Sequence, residues 1–442
     1  MHSESDLSIA AARRSYTLRA LAAYWPKTDV PIAGVPMAAA PPVAVERLPP
    51  RLVEIELPDW AAGLAPEQTL PVPAHCVIEG QAPAFERVDW LGVAFWYLNG
   101  SAERAHEALH GPVHSYSYKL AGWPPRMWER AWVNRIALFL RRWAARRAQA
   151  VEADLFGPLP QPQIMITHDV DAVRKTWSIR GKQSAFHAYN GVRRLLAGDF
   201  SGAAAKFGSA ARFALSRADY WKFDELLEME RAAGVVARFM VYGRSPQQRK
   251  GVLRLLDPDY DAMEEAVAER LRALGQQGCV VGLHPSFNAW EDSAALREER
   301  LRLERACSAA VTSCRQHWLR FSWERTWHAQ QQAGLELDMT LGFNDRPGFR
   351  NGAALCHSPW DELRGAPLAL ESIPLVLMDS QLYDYTEMDD AMREKTIRRW
   401  IDEVVDVRGT ASVIWHPHTL STDYGWRDGF RMLLRAVPGA CW

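Results

Sequence analysis

Two carboxylates one residue apart, Asp169 and Asp171, close the run Thr167-His168-Asp169-Val170-Asp171. In extended backbone, side chains two apart share a side, so both acids address one point. Like charges this close repel unless a cation intervenes, which suits one acid to hold a metal and the other to act as a base. Aspartate is also common at helix caps and turns, so the pair alone defines nothing. Three histidines give it company. His284 follows the apolar run 279–283, His317 lies within Cys314-Arg315-Gln316-His317-Trp318-Leu319-Arg320, and His416 opens His416-Pro417-His418 after the run 411–415. Imidazole is the commonest metal-binding side chain. Asp379, directly after the run 373–378, adds a carboxylate that could orient His416 or meet a sugar hydroxyl.

Such a set can hydrolyse an amide or ester. A divalent metal such as zinc lowers the pKa of bound water to about 7, an aspartate takes the proton, and a histidine protonates the leaving group. Flat apolar rings near the set could stack on a sugar; Trp290, Trp318, Trp360 and Trp415 are the nearest of the 19 tryptophans.

The elements that must position these residues are legible as a repeat. After residue 162, apolar runs at 163–167, 235–242, 279–283, near Leu319, 335–341, 373–378 and 411–415 alternate with helical patterns at 221–233, 263–274, 294–310 and 388–405. Strand then helix, repeated, is the pattern of a parallel α/β sheet or barrel, whose sites sit at the C-terminal strand ends. Residues 174–219 break the rhythm after the first strand, and an insertion there would lie over the mouth of the site.

With 442 residues the chain exceeds one ordinary core, and 48% hydrophobic against 24% charged residues marks a folded protein. The formal net charge of −1 gives no field to gather nucleic acid. The Pro-rich stretch 26–58 reads as a wrapping arm, and Gly157-Pro158-Leu159-Pro160-Gln161-Pro162 as a linker between residues 1–156, a small N-terminal α+β domain, and 163–442. The six cysteines lack metal or disulfide spacing and read as buried thiols. No apolar stretch approaches a membrane span and no secretory leader is visible, so the expected location is cytoplasmic. In 128–147 tryptophans and arginines alternate at helical spacing, which permits a peripheral membrane contact through a basic helix.

Together THDVD, the Gly282-Leu283-His284-Pro285-Ser286 turn, the 314–320 segment, Gly348-Phe349-Arg350-Asn351-Gly352 and the final Trp-His-Pro-His resemble the polysaccharide deacetylase superfamily (NodB homology, carbohydrate esterase family 4) over roughly residues 163–442. The likeness is greatest to the branch whose first motif is HDVD and which accompanies bacterial surface-polysaccharide biosynthesis; residues 87–97 and His110-Gly111 weakly resemble the small domain preceding that branch. The resemblance implies an irregular (β/α)7 barrel and a divalent metal, usually zinc, that removes N- or O-acetyl groups from sugars. It implies Asp169 as general base, Asp171 and His284 as metal ligands, His416 as the acid, and Arg320 or Arg350 as the arginine steadying the base. The family's second motif histidine falls on Asn288, so either His317 completes the coordination, or the metal is held weakly, or catalysis is lost and the cleft only binds a glycan or partner. A competing match, His106-Glu107-Ala108-Leu109-His110, fits the H-E-x-x-H zinc-peptidase helix, but Gly111-Pro112 ends that helix at once and no third ligand follows.

Overall fold

The computed structural model describes residues 4–40 and 46–438. Pro41, Pro42 and Cys441 fall outside them. Eight parallel strands form one sheet in the order β10-β7-β6-β5-β4-β3-β12-β11. They are β3 (Gln163–Val170), β4 (Arg238–Tyr242), β5 (Val280–His284), β6 (Ser313–Cys314), β7 (Leu337–Asp338), β10 (Glu371–Ser372), β11 (Leu375–Met378) and β12 (Thr410–Ile414). Two antiparallel pairs stand apart from it: β1 (Leu52–Glu56) with β2 (Thr69–Pro73), and β8 (Trp360–Asp361) with β9 (Ala366–Pro367). The central strands are buried almost throughout, because helices cover a parallel sheet and leave no solvated face.

The two edge strands, β10 and β11, are joined by only Ile373 and Pro374. A chain that steps from one edge of a sheet to the other in two residues requires the sheet to curl until its edges meet. Pro374 stands at the seam, where its missing N–H costs no ladder bond, and its carbonyl accepts from the Ser412 amide at 2.8 Å. The barrel is therefore irregular, as expected, but it has eight strands: the pair Glu371–Ser372 is too short to show as an apolar run. The strand expected near Leu319 lies earlier, at Ser313–Cys314, and His317–Leu319 is a 3-10 turn with Trp318 at φ 59°. The helices at Phe223–Ala232, Glu265–Gln276, Ser293–Cys307 and Asp390–Asp406 fall where the periodicity places them.

The N-terminal segment shares the barrel's core. One cluster of buried apolar side chains runs from Tyr16 through Trp90 and Phe139 to Val437. Buried polar contacts tie the two parts: Arg135 grips both oxygens of Glu403 at 2.9 and 2.6 Å, and Asn134 donates to the Ala354 carbonyl at 2.8 Å. The Trp132–Arg147 helix therefore turns its apolar side inward, with Arg135 and Arg141 also buried. Its exposed end carries Arg146 and Arg147 and offers no apolar face to a membrane. Among the described residues no helix is long and apolar enough to cross a bilayer. Cys76, Cys279, Cys307 and Cys314 are buried free thiols and Cys356 is half-buried.

The 174–219 insertion folds as two helices, Trp177–Leu196 and Phe200–Leu215. Thr176 and Asp199 cap them by accepting from the amides of Ile179 and Gly202 at 3.4 and 2.8 Å. A buried ion pair, Lys175 to Asp423 at 2.7 Å, anchors the base of the hairpin.

Candidate metal and hydrolase site

A cleft of about 610 Å³ opens at the C-terminal ends of the strands, and Asp169, Asp171, His284, His317, His416 and His418 line it. Lys182, Phe186, Tyr189 and Arg193 of the inserted hairpin form part of its wall, so the insertion lies over the mouth. Of the four tryptophans singled out from the sequence, Trp318 lines the cleft; Trp360 and Trp415 are buried in the core. Trp290 is buried beneath the Arg320 and Arg325 guanidinia.

Asp171, just past β3, is the hub. Its Oδ1 stands 3.3 Å from His284 Nε2 and 3.7 Å from His317 Nε2, and its Oδ2 3.6 Å from His416 Nε2. Ligand atoms of Asp171, His284 and His317 all lie within 4.8 Å of one another, and no other such trio of Asp, Glu, His or Cys occurs among the described residues. Burial opposes charge on Asp171, yet the surrounding His284, His317 and His416 hold its carboxyl far below the ordinary range.

A buried acceptor stands behind each imidazole. His284 Nδ1 donates to the Arg315 carbonyl at 2.8 Å, which leaves Nε2 as the lone-pair atom facing Asp171 when the ring is neutral. His317 Nδ1 faces the buried Asp257 carboxylate at 3.4 Å. Burial lowers the His317 pKa, while at His284 it is outweighed by Asp169 and Asp171, which raise it. Asp171 Oδ1 is buried without a hydrogen-bond partner. A buried carboxylate oxygen without a donor, facing two imidazoles oriented from behind, is a donor set that fits a divalent cation of the zinc class.

Two supported pairs flank the trio. Asp169 Oδ1 accepts from Arg315 Nη1 at 2.9 Å, with the two side chains almost fully buried. Arg315 also donates to the Met339 carbonyl at 2.8 Å, to Ser412 Oγ at 3.1 Å and to Thr167 Oγ1. His416 Nδ1 bonds Asp379 Oδ1 at 2.7 Å, and Asp379 Oδ2 accepts from the His416 amide at 2.8 Å and Thr419 Oγ1 at 3.2 Å. Burial disfavours the His416 cation, but Asp379 more than compensates and pushes its pKa up to about 10. Its neighbour His418 is pushed down to about 4 by burial and by His416.

The remaining expectations resolve by position. Neither Arg320 nor Arg350 meets Asp169. Arg320 donates to Asn288 Oδ1 at 3.0 Å and the Phe287 carbonyl at 3.1 Å, and Arg350 is buried against Glu103 and the Gly342 carbonyl. The arginine on Asp169 is Arg315, because β6 ends at Cys314 and aims the next side chain into the barrel. Asn288 is exposed and apart from the trio, and His317 occupies the position beside His284. His168 lies in the core, bonded to the Trp415 carbonyl at 2.6 Å and to Glu230. In the H-E-x-x-H helix, Glu107 turns inward to accept from the Trp323 amide at 2.9 Å and from Ser322 Oγ. It therefore caps the 322–323 turn and does not face the His106 and His110 rings.

Comparison with solved structures gives distant likenesses of fold, each with a TM-score below 0.5. A Mycobacterium smegmatis protein assigned as a polysaccharide deacetylase is 18% identical over 63% of this chain and 86% of its own, with a TM-score of 0.36. A family 4 pseudoenzyme from Bacillus anthracis is 12% identical, covering 62% of this chain and 61% of its own, with a TM-score of 0.26. The family 4 domain of a xylanase from the hindgut metagenome of Trinervitermes trinervoides is 8% identical, covering 62% and 82%, also at 0.26. No family model and no curated protein matches the chain.

Proposed function

We propose that the chain is a metal-dependent hydrolase that removes N- or O-linked acetyl groups from a carbohydrate, in bacterial surface-polysaccharide biosynthesis. One observation carries the reading: the Asp171, His284 and His317 trio shares a cleft with a buried Asp169–Arg315 pair and a His416–Asp379 pair. Asp171, His284 and His317 would hold the cation, which when bound supplies Lewis acidity toward water and an acyl carbonyl.

The chain's own groups do the proton work. Asp169 accepts the proton of the attacking water, and Arg315 fixes its carboxylate and balances its charge within the barrel. His416 carries a proton at neutral pH and donates it from Nε2 to the departing amine or alcohol. Asp379 holds Nδ1, so Nε2 is the nitrogen left facing the cleft. Such positioned proton transfer is typically worth about 10²–10⁴ in rate. Phe186, Tyr189, Trp318 and Tyr385 supply ring faces along the cleft wall, consistent with a sugar substrate.

The test is acetate release by zinc-loaded protein from N-acetylglucosamine oligomers and O-acetylated sugars. Release by the natural chain, lost in Asp169→Asn and His416→Gln, is the expected result. No acetate from any of these substrates, with glycan binding retained, would replace the hydrolase reading with that of a binding protein.

A further inference from the structure

Two cations of the inserted hairpin line the cleft, and among the described residues neither takes part in a salt bridge. They are Lys182 and Arg193 of the Trp177–Leu196 helix, which also turns Gln183, Phe186, Tyr189 and Asn190 to the cleft. Steps of three and four residues keep these side chains on one helix face. Lys182 and Arg193 stand at its two ends, eleven residues apart, so about 16 Å of helix separates them. Lys182 Nζ sits 4.7 Å from the centre of the Trp318 ring, next in sequence to His317. Lys182 therefore marks the Asp171 end of the face, and Arg193 the far end.

The carboxylates that line the cleft are otherwise engaged. Asp169 is held by Arg315. Asp171, whose charge reaches Lys182, already faces His284, His317 and His416. The third, Asp384, is pushed up to about 7 by burial and then by Asp379, against Lys206 and His416. Two unanswered cations thus stand along one wall, in a chain whose net charge is −1. A cleft lined by charge of one sign concentrates ligands of the other.

We propose that the cleft takes an acidic glycan chain, with Lys182 meeting a carboxylate or phosphate near the acetylated sugar and Arg193 meeting a second one further along. The inference rests on the preceding reading in taking the ligand to be a sugar, but not on its hydrolysis. The two cations are farther apart than one sugar ring is long, so an oligomer engages both. Phe186 and Tyr189 lie between them and offer ring faces to the intervening sugars, while Gln183 and Asn190 offer amides to hydroxyls. The Arg193 guanidinium can grip either kind of anion through two parallel hydrogen bonds.

The experiment is calorimetric titration of the zinc-loaded full chain with tetramers that carry no acetyl group, so that no turnover disturbs binding. A galacturonic acid tetramer supplies carboxylates and a phosphorylated mannose tetramer supplies phosphates; uncharged galactose and mannose tetramers are the controls. At least one acidic tetramer should bind about 25-fold more tightly than its uncharged counterpart, at about five-fold for each exposed ion pair. Which of the two does so assigns the anion. The preference should shrink as salt is raised. Lys182→Gln and Arg193→Gln should each remove about five-fold of it, and the double variant all of it. Both side chains are exposed, so thermal midpoints should be unchanged. Acidic tetramers that bind no more tightly than uncharged ones, a preference insensitive to salt, or one that the double variant keeps would overturn the proposal. Acetate release from N-acetylglucosamine oligomers without any acidic preference would sink this inference and leave the hydrolase reading standing. An acidic preference with no acetate released from any substrate would do the reverse.

Discussion

Replacing Arg315 with Met leaves Asp169 as a buried carboxylate without its cation. Arg315 is fully buried, Asp169 is 4% exposed at the side chain, and 2.9 Å separates them. Breaking a buried pair by removing one member costs about 3–5 kcal/mol, because the remaining charge is left uncompensated. The same replacement leaves the Met339 carbonyl and Ser412 Oγ without the Arg315 donors they accept from, which keeps the cost at the upper end. Asp169→Asn keeps the shape and removes the charge, so it costs less. In the double variant no charge is left at either position, and the two losses should overlap by about 2–3 kcal/mol. Urea unfolding of the four proteins, followed by tryptophan fluorescence, measures that coupling. Additivity to within about 0.5 kcal/mol would refute the claim that Arg315 is the counter-charge of Asp169.

Two further outcomes follow from the geometry. The folded His416 pKa, about 10, lies above its ordinary value, so the pair with Asp379 contributes stability in full below about pH 6.5 and loses it as pH rises toward 10. In metal-stripped protein, the stability gap between the natural chain and Asp379→Asn should narrow over that window; a gap constant from pH 6.5 to 10 would contradict the assignment. Gly100 sits at φ 59° with a virtual Cβ 2.3 Å from the Trp323 ring. Gly100→Ala should therefore lower stability by about 1–3 kcal/mol, read by the urea midpoint, and an unchanged midpoint would show that Trp323 can move aside.

Much of the site was legible in the residues, because polar side chains at the ends of apolar runs share a depth in a parallel sheet. Asp169, Asp171, His284, His317, His416 and Asp379 all reach the cleft or its immediate support. Arg315 does not stand out from Arg320 and Arg350 in the sequence, since three arginines lie near the motifs and only the direction of the chain after β6 selects the one that points inward. Asp257, behind His317, had no signal: it lies in a loop about sixty residues upstream of its partner, and nothing local to it indicates that partner. The two-residue strands β6, β7 and β10 are below the length at which periodicity can speak. The cleft-facing side of the hairpin carried the ordinary helical period, and which side meets the cleft is a property of packing.

An anomalous difference map at the zinc edge, from crystals of the metal-loaded protein, bears most directly on the site. One peak per chain is expected within coordination distance of Asp171 Oδ1, His284 Nε2 and His317 Nε2, and none on crystals of His284→Ala. A peak on His106 and His110, or zinc-loaded crystals with no peak between Asp171 and the two imidazoles, would contradict the assignment.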